Sequence, residues 1–168
     1  MGNRKSREQQ KQERDLALWD QARTAPRDFV QDVDVPGIGI RRLQVIFVPS
    51  FGQGFAWDMR ASGPTWKLFR SEASNDEGKL SGYEELDACS DMLRGYFDKL
   101  RALTLPIGPL LLNIGGADGT TYHLALCGDL DSEVRFRWWT DSPPQWAPLV
   151  VIVNDMIETF LRLRPRDV

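Results

Sequence analysis

The apolar positions along this chain switch between two periods, two residues and about 3.6, and each switch marks an element. Alternation runs through FVQDVDV (29–35) and IRRLQVIFV (40–48), on either side of Pro36-Gly37, a pair suited to a type II turn. It resumes over 54–61 and 64–70 around Ser62-Gly63, the signature of a hairpin. With 61 opposite 64, Met59 meets Trp66 and Trp57 meets Leu68 on one face, while Asp58 meets Lys67 on the other.

The period then lengthens. Ser81 and Glu84 form an S-x-x-E capping box, and Tyr83, Leu86, Leu93, Tyr96, Phe97, Leu100 and Leu103 follow at helical spacing, predicting a helix over 82–103. Cys89 falls on that stripe and is expected to be a buried, unreactive core residue. After the break TLPIGP, the runs LLLNI (110–114), TYHLALC (121–127) and EVRFRWW (133–139) read as a second antiparallel group. A last helix over 148–163 buries Leu149, Ile152, Val153, Met156, Ile157 and Phe160, with Pro148 in its first turn where a missing N–H costs nothing. Strands grouped before helices, in halves 27–103 and 109–168, predict an α+β fold. The expected form is one antiparallel sheet of about six or seven strands with two long helices on one face, plus a short N-terminal helix.

Residues 1–15 hold almost no apolar side chain and are expected to be a flexible basic tail, either disordered or a fraying, solvated helix, ahead of a single domain over 16–168. From Asp15 the run DLALWDQA is expected to dock Leu16 and Trp19 as a short helix. The net charge of −3 is unevenly spread: residues 1–27 carry seven basic and four acidic side chains, so the remainder stands at −6. An acidic body argues against a general nucleic-acid binder, whose affinity comes from neutralising phosphate. No apolar run reaches the ~18 residues of a membrane span and no signal-peptide pattern opens the chain. With two cysteines only, a reducing cytoplasm is the expected compartment. The opening MGNRKS matches an N-myristoylation pattern at Gly2, which defines a membrane-anchored adaptor as a third class to test.

Chemistry is sparse. His123 and Cys127 share one side of one strand, but four residues set their attachment points ~13 Å apart, too far for a dyad. One histidine and two cysteines fall short of a zinc site, and DVD (32–34) and GDLDSE (128–133) lack EF-hand spacing. GIGI, FGQG and GGADG are followed by no Gly-Lys-Ser/Thr and have no Rossmann spacing. No cofactor is expected. Converging carboxylates, with Asp58, Asp118, Asp129 and Asp141 as candidates, leave a small metal-assisted hydrolase or ligand-binding enzyme as the alternative function.

The densest aromatic stretch is VRFRWWTDSPPQWAPLV (134–150), with three tryptophans and three prolines. Pairing 121–127 with 133–139 across GDLDS sends its neighbouring tryptophans opposite ways. Tyr122, Leu124 and Leu126 meet Trp138, Phe136 and Val134 on a core face; Thr121 meets Trp139, His123 meets Arg137 and Ala125 meets Arg135 on the other. Trp146 is expected to staple the last helix to the sheet. His123, Arg135, Arg137 and Trp139 thus form a candidate partner-binding patch, since Trp and Arg are enriched at hot spots. In shape and composition alone the chain resembles bacterial toxin-immunity proteins. The expected function is a non-enzymatic cytoplasmic protein-binding module, such as an immunity or antitoxin-type inhibitor.

Overall fold

The computed structural model describes residues 6–74, 78–106, 119–129 and 132–167. The order is α1 (Arg7–Thr24), β1 (Arg27–Asp28), β2 (Ile40–Val48), β3 (Gly54–Ser62), β4 (Thr65–Ser74), β5 (Lys79–Leu86), α2 (Ser90–Arg101), β6 (Thr121–Cys127), β7 (Glu133–Trp139) and α3 (Ala147–Leu161), the last entered through a short 3-10 turn at Pro144–Trp146. The strands form one antiparallel sheet in the order β1-β5-β4-β3-β2-β6-β7, which makes the fold α+β. Because β2 pairs with both β3 and β6, the two halves of the chain share this sheet. The strand predicted at 110–114 lies outside the described residues.

Alternation gives the sheet two different faces. On the first, Leu43, Val45, Trp57, Met59, Leu68, Leu124 and Trp138 join Leu93, Tyr96 and Leu100 of α2 and Leu149, Val153, Met156 and Phe160 of α3 in the main core. Trp138 stacks on Tyr122 at 5.2 Å, and Trp146 meets Phe136 edge-on at 5.3 Å, tying the start of α3 to β7. On the second face, Trp19 and Ala22 of α1 and Val33, Val35 and Ile38 of the segment before β2 cover Phe69 and Tyr83. Phe29 lies over Ile46, Val48, Ala56, Ala73 and Leu80.

Four predicted elements are corrected. Residues 29–35 form no strand: Val33 and Val35 turn inward as alternation requires, but the segment lies across the sheet. The stretch 82–86 belongs to β5, not to a helix, so α2 is 12 residues long and starts at Ser90. The longest helix is α1, on the opposite face from α2 and α3, so the expectation of two long helices on one face is met only in part. In the β3–β4 hairpin Ser62 pairs with Thr65, leaving Gly63-Pro64 as the two-residue turn, with Gly63 at φ +59. The register is therefore two residues from the expected one, and Met59 meets Leu68 while Asp58 meets Phe69. A shift of two keeps every side chain on its predicted face.

Two further expectations move with these. Cys89 is exposed at the N-cap of α2, outside the core. The helix α1 already begins at Arg7, held by a Ser6–Gln9 capping box, and its side chains stay exposed through Arg14. Trp19 docks 6.3 Å from Phe69, but Leu16 remains exposed. No helix among the described residues is long and apolar enough to cross a membrane.

Candidate functional site

The predicted register of the last hairpin holds at every position. Thr121 pairs with Trp139, His123 with Arg137, Ala125 with Arg135 and Cys127 with Glu133. These side chains extend the second face beyond the covering segment, onto β6 and the edge strand β7. The hairpin therefore brings His123 and Arg137 side by side and sets Arg135 and Trp139 one cross-strand row to either side.

Each of the four has a distinct environment. Arg137 is exposed, and no described residue forms an ion pair with it. Arg135 is exposed but held by Glu133 through two 2.7 Å hydrogen bonds. His123 is half-buried, with Phe29 edge-on at 5.5 Å. Burial, then the charges of Arg137 and Arg135, push its pKa down to about 4, so the ring is neutral at physiological pH. Trp139 is half-buried against Gly119, where a Cβ would collide with its indole and displace the ring. Ser50 fixes the same corner through hydrogen bonds to the backbone of Gly119. Next to Ser50, at the tip of the β2–β3 hairpin, Phe51 is 80% exposed. Phe51 was not among the predicted site residues; its one legible signal was a large apolar residue between Ser50 and Gly52 in a turn.

The middle of the second face holds a polar network that the sequence did not disclose. Asp58 accepts hydrogen bonds from Arg41 Nη2 and Gln44 Nε2, each at 3.0 Å. Arg60 donates to Tyr83 Oη at 2.8 Å, to the Gly39 carbonyl at 2.9 Å and to Asp32. Arg27 donates to Ser71 Oγ at 2.7 Å and to the Ala22 carbonyl at 2.8 Å, with its guanidinium 4.9 Å above the Tyr83 ring. Burial holds the Tyr83 phenol well above its ordinary pKa, with Asp58 adding to the effect, and burial pulls Arg27 below its own. Six of these polar side chains (Arg27, Arg41, Gln44, Asp58, Arg60 and Ser71) are at least nine-tenths buried, and their partners lie in α1, the covering segment and the sheet. Their arrangement fastens one layer to another.

A concavity of about 1170 Å³ lies where α1 and the C-terminal segment flank β5, with Trp19, Arg23, Tyr83, Glu84 and Arg166 among its lining. Many of its charges neutralise one another: Arg70 binds Glu84, while Lys67 and Arg166 both bind Glu85.

Among the described residues the catalytic candidates do not converge. Asp58 is enclosed by Arg41 and Gln44. Asp129 is bonded to Arg42 at one end of the β6–β7 hairpin and Asp141 stands beyond its other end, roughly 20 Å away at ~3.3 Å per residue. Asp118 lies outside the described residues. Among the described residues no group of three or more His, Cys, Asp or Glu is placed to hold a metal ion. Comparison with protein-family models, with curated proteins and with solved structures finds no match in any of the three.

Proposed function

We propose that this chain is a non-enzymatic protein-binding module and that the outer half of the second sheet face, on β6 and β7, is its docking surface. The observation that carries the reading is Arg137, an exposed guanidinium without an ion partner among the described residues, between the bidentate Arg135–Glu133 pair and Trp139. A partially buried tryptophan beside an unpaired arginine is hot-spot chemistry: a large rigid contact surface next to a charge that a partner can match. Phe51, on the turn that anchors Gly119, adds an exposed aromatic at the same end of the sheet. An immunity or antitoxin-type inhibitor is one role that such a module fills, and the cytoplasm is the proposed compartment.

The test is partner retention measured beside stability. Arg135→Glu with Arg137→Glu is expected to abolish co-purification of the native partner from its host while leaving the thermal midpoint within a degree or two, since both side chains are exposed. Retention of the same partner by the double variant would move the docking surface elsewhere.

A further inference from the structure

We propose that β7 receives its partner by strand addition, and that the incoming segment is extended and alternates acidic with apolar residues. This rests on the docking surface proposed above and specifies how it is used.

The two edges of the sheet are treated differently. The β5 edge is closed twice: by β1, through Arg27 opposite Leu80 and Asp28 opposite Lys79, and by the C-terminal segment, through Pro165 opposite Leu86 and hydrogen bonds of 2.9 Å from Asp87 N to Arg164 O and from Arg166 N to Glu85 O. At the other edge, β7 runs seven residues in unbroken register with β6, and no described residue pairs with its outer side. An edge of this length that no described residue pairs with is a template for another strand unless something blunts it. Proline and lysine are absent from β7, and no bulge interrupts it.

The side chains beside that edge state what it selects. On the second face β7 presents Arg135, held by Glu133, then Arg137 and the half-buried Trp139; on the first it presents Val134, 48% exposed, and the half-buried Phe136. A strand laid along β7 places alternate side chains over these two rows, so acids meet the arginines and apolar groups meet Val134 and Phe136. A second copy is a poorer occupant. Antiparallel pairing of the whole strand with itself centres on Phe136 and sets Arg135 opposite Arg137 of the copy, twice, and like charges directly opposite destabilise a pair.

The experiment uses the full chain and synthetic peptides. A nine-residue capped peptide alternating glutamate and valine is titrated against it, next to a peptide of the same composition with the glutamates in one block. A third peptide is N-methylated at alternate backbone nitrogens. The alternating peptide is expected to bind about tenfold or more tightly than the blocked one and to slow amide exchange across 133–139, while N-methylation along the pairing edge removes binding. Arg135→Glu with Arg137→Glu is expected to reverse the preference toward an alternating lysine–valine peptide. Equal binding of the alternating and N-methylated peptides would overturn strand addition. A concentration-dependent dimer that the single change Arg137→Glu strengthens, by setting an acid opposite Arg135 of the copy, would replace the acidic segment with a second copy. If no peptide binds while the same double variant still loses the native partner, the docking face stands and strand addition fails.

Discussion

Five arginines contribute to the second face of the sheet in two different states. Arg27, Arg41 and Arg60 lie beneath α1 and the segment leading into β2, and each donates to named carbonyls, hydroxyls or carboxylates. Arg135 and Arg137 lie past the rim of that cover, one paired within its own strand and one unpaired among the described residues. What separates the two groups is coverage. Under the cover a guanidinium is held by partners from several elements and carries structural load; beyond it Arg137 keeps its donors available to a partner. A charged residue on a strand therefore reports function only after one knows what lies over it.

The largest expected effect falls on the covered half. Asp58→Ala leaves Arg41 buried without its closest carboxylate and should cost about 3–5 kcal/mol, read from a denaturant midpoint. Trp138→Ala, which empties a site against Tyr122 and Trp146, should cost a similar ~3–5 kcal/mol. A loss below ~1 kcal/mol in either would show that water reaches a region assigned here to the interior. Trp139→Ala, half-buried against Gly119, should cost only ~1–2 kcal/mol.

His123 supplies a probe between the two halves, and as the only histidine its ring signals are unambiguous. Its folded pKa of about 4 lies below the unfolded 6.5, so between those values the unfolded state holds more protons. Stability should fall as pH drops from 6.5 to 4, by ~1–2 kcal/mol after allowance for partial exposure, and His123→Gln should remove that part of the pH dependence. Arg137→Ala should raise the titration midpoint of His123, because one repelling charge is gone. An unchanged midpoint would break the proposed neighbourhood. The smallest effect concerns thiols: Cys89, exposed, should react with a thiol reagent well before Cys127, whose pKa is raised first by burial and then by Glu133.

The last hairpin was legible because two clean alternations flank a short polar turn, and a single register satisfies both. The same reasoning placed β2 and the α3 stripe. It failed at β5 for a physical reason. Gly82 at φ +70 breaks the pleat, so the buried positions Leu80, Tyr83 and Leu86 fall three apart and imitate a helix. Glycine inside the supposed helix was the available warning. At 29–35 alternation correctly showed one buried side, but a segment crossing a sheet produces that pattern as readily as a strand within it. The candidate patch was read from register alone. The Asp58 network was missed because Arg41, Asp58 and Arg60 look like solvent-facing positions until the covering segment is placed over them.

The most direct test of the contrast is site-specific photo-crosslinking in the native host. A photoreactive residue is placed in turn at Arg137, on the uncovered half, and at Glu158, exposed on α3. The account predicts a discrete adduct from position 137, lost on competition with unlabelled protein, and none from position 158. Equal adducts from both positions, or an adduct from 158 alone, would contradict it.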